Sequence, residues 1–153
     1  MVRPYGPGNF VNGLNVSGNR FKTLKGSIDR VERVDTSFAD LNYARMKNIN
    51  FVGNSFHNIQ IPVSNPHRFT HIQNSAEQTW VMFLNDQLPF DAQALKVDSV
   101  VAEGAIRNSS NVAVYTMPYA RVMQGTNLNQ VNLVWSTAVQ GKVQMSVRMD
   151  NDL

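Results

Sequence analysis

The sequence predicts an all-β chain, in which a short right-handed parallel β-helix segment is followed by an antiparallel β-sandwich module. Two observations lead to this prediction. Asn occurs 18 times among the 153 residues, and Asn is favoured in turns because it tolerates left-handed backbone. Several runs in the carboxy-terminal half alternate apolar and polar residues, as half-buried antiparallel strands do. We therefore expect many short strands separated by turns.

The chain divides into three parts. Residues 1–13 are rich in glycine and proline and are predicted to form an extended amino-terminal arm. Residues 14–66 are predicted to form β-helix-like coils, with an excursion at 27–46. Residues 67–153 are predicted to form the antiparallel β-sandwich module. The loop IPVSNPH, between Ile61 and His67, marks the boundary before this module.

Two segments of the first part repeat a Gly-Asn-x-Phe pattern. LNVSGNRF (14–21) and INFVGNSF (49–56) share Asn, Gly, Asn and Phe in register, and each begins with an aliphatic residue. Gly and Asn suit sharp turns, while aliphatic and Phe side chains suit an inward stack. Two unrelated β-turns are the alternative interpretation. The β-helix interpretation assigns structural coil positions to Leu14, Gly18, Asn19, Phe21, Ile49, Gly53, Asn54 and Phe56.

The segment between the two repeats, SIDRVERVDTSFADLNYARM, is ambiguous. Its apolar residues are spaced by three, three and four positions, which allows a short helix. Val31 and Val34 are β-branched and disfavour a helix. In the third part, the predicted strands lie in TWVMFL (79–84), LKVDSVVAEGAI (95–106), NVAVYTMPYARVM (111–123), VNLVWSTAV (131–139) and KVQMSVRM (142–149), the last two flanking Gln140-Gly141.

Composition narrows the possible partners. The net charge of +3 is uneven, because residues 1–47 carry eight basic and four acidic residues (+4), whereas residues 48–153 carry six and seven (−1). These charges alternate as on a solvated surface, and no nucleic-acid-binding module accompanies them, so no nucleic-acid partner is predicted. No apolar run approaches the roughly 20 residues of a membrane-spanning helix, and the first residues lack the apolar region of a signal peptide. We expect a soluble protein without membrane insertion.

No pattern of catalytic or metal-binding residues emerges. The acids Asp29, Glu32, Asp35 and Asp40 alternate with arginines, which favours ion pairs over a glycosidase carboxylate pair. His67 and His71 have the spacing of a helical metal pair, but the preceding proline and their β-branched neighbours disfavour a helix. The absence of cysteine excludes thiolate sites. No enzymatic activity, cofactor or metal is predicted.

The Asn-rich segment INFVGNSF is followed by a small β module that ends in the alternating strand KVQMSVRMDNDL. This arrangement resembles the carboxy-terminal part of bacteriophage tailspikes and related virion spikes. This resemblance implies a structural and adhesive virion module that attaches a phage or phage-like gene-transfer particle to cell-surface polysaccharide. It also implies a parallel homotrimer at the particle surface, joined to another virion protein through the amino-terminal arm. The alternatives are a fragment of a pectate-lyase-like polysaccharide lyase or hydrolase, and a free carbohydrate-binding β domain.

Two features bear on these expectations. Five methionines, at positions 82, 117, 123, 145 and 149, would suit adaptable packing at a subunit interface.

Four aromatic residues are candidates for contact with a glycan or a partner. The two tyrosines flank Met117-Pro118, where proline would interrupt a strand ladder, whereas the tryptophans lie in apolar runs that favour the core or an interface. The four candidates are Tyr115, Tyr119, Trp80 and Trp135.

Overall fold

The computed structural model describes residues 1–151, and it confirms the all-β class. Two single-turn 3-10 helices, Tyr43–Arg45 and Pro89–Asp91, interrupt the strands, and no helix within residues 1–151 could cross a membrane. The strands are β1 (Asn12–Ser17), β2 (Arg20–Lys22), β3 (Lys47–Val52), β4 (Ser55–His57), β5 (His67–Phe83), β6 (Lys96–Ala102), β7 (Arg107–Asn108), β8 (Tyr119–Gln124) and β9 (Gln130–Arg148).

The two Gly-Asn-x-Phe segments lie side by side. β1 pairs in parallel with β3, and β2 pairs in parallel with β4, at a constant offset of 35 residues. The chain bends between the paired strands at Gly18 and Gly53, whose φ angles are 66° and 64°. A positive φ carries no steric penalty for glycine, which explains why the same residue stands at both bends.

Parallel pairing extends beyond these strands. Val2 bridges Val34, and Ile28 bridges Ile59. We therefore call residues 2–28 the first layer and residues 34–59 the second layer. Both the predicted arm (1–13) and the predicted excursion (27–46) contribute to these layers. The helix that the spacing allowed at 28–38 does not form, and the segment contains only isolated bridges.

The carboxy-terminal part is one antiparallel sheet rather than the two facing sheets of the predicted sandwich. β5, of 17 residues, pairs with one edge of β9, of 19 residues, and β6, β7 and β8 all pair with the other edge. Gln140-Gly141 does not separate the two predicted strands that flank it, because Gln140 pairs with Arg107 on β7 and Gly141 pairs with Gln73 on β5. Two predicted strands are thus a single strand held on both sides.

A single hydrophobic core joins the layers to this sheet. Ile49 and Phe51 of β3 belong to the same buried cluster as Leu133 and Met145 of β9. The two strands contribute alternate residues because one face of each is turned to the core. Of the five methionines considered for a subunit interface, three lie in this core of the single chain, at positions 82, 145 and 149.

A buried polar network fixes the end of β9 against the second layer. Asp150 is 1% exposed, and its carboxylate accepts hydrogen bonds from the Ile49 backbone N–H at 2.7 Å and the Asn65 side chain at 2.8 Å. The Arg148 guanidinium donates to the same carboxylate at 2.9 Å and to the Ile49 carbonyl oxygen at 2.9 Å. Asn151 follows and forms a parallel bridge with Lys47. This network covers the edge of β3 that faces away from β1.

Candidate functional site

An apolar cleft of about 260 Å³ opens beside β9. We call it the aromatic cleft, because Tyr115 and Trp135 both line it. Most of its remaining wall is aliphatic, as in sites that hold the apolar part of a small ligand. Its other principal lining residues are Val100, Ile106, Val114 and Met117.

Hydrogen bonds of Asn108 shape the loop that carries Tyr115. Its side-chain oxygen accepts from the backbone N–H groups of Ser110 and Val112, each at 3.0 Å. Its backbone N–H donates to the Val112 carbonyl oxygen at 2.9 Å. The Val114 N–H then bonds to the Ile106 carbonyl oxygen at 2.8 Å and attaches the loop to the wall of the cleft. The next residue, Tyr115, is left 94% exposed.

The four predicted aromatic contact residues occupy different environments. Tyr115 and Trp135 meet at the cleft, although Trp135 is only 3% exposed. Tyr119 is 71% exposed at the start of β8, outside the cleft lining. Trp80 is fully buried, and its indole N–H donates to the Val139 carbonyl oxygen at 3.0 Å. Burial leaves the Trp80 ring unavailable to a ligand in this conformation, so Tyr115 and Tyr119 are the accessible candidates.

The predicted coil positions are brought together in pairs. Leu14 lies opposite Ile49, and the rings of Phe21 and Phe56 stack with centroids 5.5 Å apart and planes 18° apart. Phe21 and Phe56 are half-buried, so their stack lies at the margin of the core.

The two Asn residues of the pattern follow the glycine bends and bond to each other. The Asn19 backbone N–H donates to the Asn54 side-chain oxygen at 2.9 Å. The Asn54 side-chain amide donates across the layers to the Val16 carbonyl oxygen at 2.8 Å. Asn54 of the second layer thus links the two bends by hydrogen bonds to the first layer.

Three of the four acids considered for catalysis form ion pairs. Asp29 pairs with Arg33, and Asp35 pairs with Arg3. Hydrogen bonds from Ser37, followed by the hydrogen bond and the charge of Arg3, lower the pKa of Asp35 to about 2. A carboxyl group in this state is ionised throughout the neutral range.

The third acid, Glu32, forms its ion pair with Arg30 in the interior, whereas the sequence pattern predicts the pairs of this segment on a solvated surface. Arg30 donates to Glu32 at 2.7 Å and to the Leu88 carbonyl oxygen at 3.0 Å, and both charged side chains are less than 10% exposed. Glu32 also accepts from the Phe90 backbone N–H at 3.1 Å. Phe90 has a φ of 63°, which is uncommon for an aromatic residue. The contacts with Leu88 and Phe90 span 58 residues, and no local pattern reveals them.

The histidines are on a strand rather than a helix. His67 is 7% exposed, shares a 2.9 Å hydrogen bond with the Ser64 hydroxyl, and stacks on Phe69. Burial lowers the pKa of His67. His71 lies against Trp80. Within residues 1–151, no group of three or more acidic or histidine side chains could hold a metal ion.

Comparison with protein-family models, with curated proteins and with solved structures finds no match to this chain.

Proposed function

We propose that this chain is a structural and adhesive module of a virion spike or fibre, which attaches a phage or phage-like gene-transfer particle to cell-surface polysaccharide. The observation that carries the proposal is the in-register parallel pairing of the two Gly-Asn-x-Phe segments, with an antiparallel sheet directly after them. In this proposal, the two layers are a short right-handed β-helix, and the sheet presents the binding surface.

The aromatic cleft is the proposed glycan contact. Exposed tyrosine offers a flat ring to the C–H face of a sugar and a hydroxyl group to its polar edge. Tyr115 offers this surface at the mouth of an apolar cleft, and exposed Met117 extends the apolar rim. Tyr119 provides a second exposed ring at the start of β8. A chain of linked sugars could contact several such positions at once.

Homotrimer formation would cover apolar surface that the single chain leaves open. The outward face of β5 exposes Ile72 at 57%, Val81 at 41% and Phe83 at 56%. Val81 and Phe83 lie two residues apart on this face, and neighbouring exposed apolar side chains are typical of interaction surfaces. In the proposed trimer, these residues pack between subunits, and the first layer joins the module to another virion protein.

Binding to a panel of purified capsular polysaccharides tests the adhesive role. We expect saturable binding for the wild-type chain, and at least a tenfold weaker affinity for Tyr115→Ala, a loss of about 1.4 kcal/mol. Tyr5→Ala is the matched control, because Tyr5 is also strongly exposed but lies in the first layer. Equal loss in both variants, or no binding to any polysaccharide, would contradict the proposed contact.

Two further measurements separate the alternatives. Analytical ultracentrifugation is expected to show a trimer at micromolar concentration, whereas a stable monomer that binds polysaccharide would favour a free carbohydrate-binding domain. Release of reducing ends during incubation would favour a lyase or hydrolase. The spike module is expected to bind without any such release.

A further inference from the structure

The outer edge of the first layer lacks a neighbour within residues 1–151. β1 pairs with β3 on one side, and no described strand pairs with its other side. β3 is covered on both sides, because Phe51 bridges Asn65 and Lys47 bridges Asn151 on the edge away from β1. An uncovered strand edge presents free N–H and C=O groups to any chain that can pair with them.

Asn19 lacks the contact that its counterpart makes. The Asn54 side-chain amide reaches upward to the Val16 carbonyl oxygen of the first layer. The Asn19 side-chain amide instead donates to the Ser17 carbonyl oxygen of its own layer at 3.1 Å and to the Asn54 side-chain oxygen of the second layer at 3.2 Å. The Asn54 side-chain oxygen accepts from the Asn19 backbone N–H, whereas the Asn19 side-chain oxygen accepts no hydrogen bond from the described residues. The side-chain hydrogen bonds at this bend therefore end at the first layer.

The glycine bends and the apolar residues also indicate that the outer side of the first layer has no neighbour within residues 1–151. A Cβ atom added at Gly53 would lie 3.9 Å from the Gly18 nitrogen, but one added at Gly18 would meet nothing within 4 Å. Ile49 and Phe51 of the second layer are buried, whereas their partners Leu14 and Val16 are only half-buried. Leu14 and Val16 therefore pack against the second layer on one side, and no layer within residues 1–151 covers their other side.

We propose that this edge docks a third parallel layer, supplied by another polypeptide and carrying acidic residues opposite Arg20 and Lys22. The first 28 residues contain four basic residues and no Asp or Glu, so their charge is +4. Arg20 and Lys22 are exposed on β2 and would lie directly beneath the added strand. Opposite charges facing each other across paired strands stabilise the pairing.

A second copy of the chain fits this edge poorly. Two-fold pairing of β2 with itself about Phe21 would place Arg20 opposite the Lys22 of the other copy, and like charges directly opposite are destabilising. Stacking the second layer of one copy on the first layer of another is obstructed, because Asn65 and Asn151 cover the lower edge of β3. The proposal does not depend on glycan binding or on the trimer.

The test supplies the missing layer by fusion. The second-layer sequence of residues 47–57, with the residues at positions 55 and 57 changed to Glu (KNINFVGNEFE), is joined through a flexible Gly/Ser linker to the amino terminus of the full chain. The linker raises the effective concentration of the added strand to the millimolar range. A matched fusion carries Lys at both positions (KNINFVGNKFK). Amide hydrogen exchange of β1 and β2 is measured for both fusions and for the unfused chain.

We expect exchange at 12–22 to slow at least tenfold in the Glu fusion relative to the unfused chain, and much less in the Lys fusion. Exchange in β5 and β9 should stay unchanged. In the variant Arg20→Glu/Lys22→Glu, whose two sites are exposed, the preference should reverse to the Lys fusion. Equal protection by both fusions, protection by neither, or a β1 edge that becomes protected in the unfused chain as its concentration rises would overturn the proposal.

Discussion

Asp150→Asn is expected to destabilise the chain strongly, because it disrupts the buried network that joins β9 to the second layer. The carboxylate accepts from the Ile49 N–H, the Asn65 amide and two nitrogens of Arg148, at 2.7–3.0 Å. An asparagine at this position replaces one accepting oxygen by an NH₂ group. In either orientation, that group faces a donor it cannot pair with, and Arg148 loses the negative charge of Asp150.

The magnitude follows from the burial of the pair. Asp150 is 1% exposed, and the Arg148 side chain is 14% exposed. Removal of one partner from a buried ion pair costs about 3–5 kcal/mol where the other charge is left uncompensated. We expect the loss to lie at the lower end of this range, since Arg148 still donates to the Ile49 carbonyl oxygen at 2.9 Å in the variant.

The loss should depend on pH. Burial alone would raise the pKa of Asp150, but hydrogen bonds from Arg148, Asn65 and the Ile49 N–H outweigh it and lower the pKa below its ordinary value. An acid whose folded pKa is lowered stabilises the protein above its unfolded pKa, about 3.9, and this contribution disappears as the pH falls through the folded pKa. The difference between wild type and Asp150→Asn should therefore be full at pH 6 and shrink under acid conditions.

Urea unfolding, followed by the fluorescence of the buried Trp80 and Trp135, measures this difference. Glu103→Gln is the matched control, because Glu103 pairs with Lys142 at the surface, where an ion pair contributes about 0–1 kcal/mol. A loss in Asp150→Asn no larger than in the control would refute the reasoning. So would a loss that stays constant from pH 6 down to pH 3.

Three further predictions concern the stability of the layers and the sheet. Asn54→Ala should cost about 1–3 kcal/mol in urea unfolding, because it leaves backbone groups at the bend unpaired, whereas exposed Asn15→Ala should cost under about 0.5 kcal/mol; equal losses would contradict the role of the bend. His67→Phe should abolish a decline in wild-type stability below about pH 6.5, since burial lowers the pKa of His67 and the folded state resists its protonation; an unchanged pH profile would contradict this. Gly141→Ala should lower the thermal midpoint, because its Cβ would lie 2.7 Å from the Ile106 Cδ1 atom; an unchanged midpoint would show that Ile106 repacks at no cost.

The pairing of the two layers could be predicted because its determinants are local and repeated. Gly18 and Gly53 recur at the same offset as Phe21 and Phe56, and the offset fixes the register of the strands between them. A bend that needs positive φ and a bulky residue three positions later are visible in a single sequence. The stacking of the two Phe rings follows from that register.

The architecture of the sheet could not be predicted in the same way. Gln140-Gly141 has the composition of a turn, but its conformation is decided by Arg107 and Gln73, which lie far away in the sequence and hold it in the ladder. Tertiary pairing overrides local propensity in strands. The same limit applies to Arg30, a buried charge whose partners at the 86–91 turn are invisible to any local pattern.

The presence of only two layers has a structural explanation. A two-stranded parallel sheet is marginal in isolation, but the lower edge of β3 is covered by Asn65 and Asn151, and its buried face joins the core of the antiparallel sheet. The sheet thus replaces further layers on one side only. Because the upper edge of β1 receives no such cover from residues 1–151, the stack is asymmetric: one end is closed by the chain itself, and the other retains the geometry for continued parallel pairing.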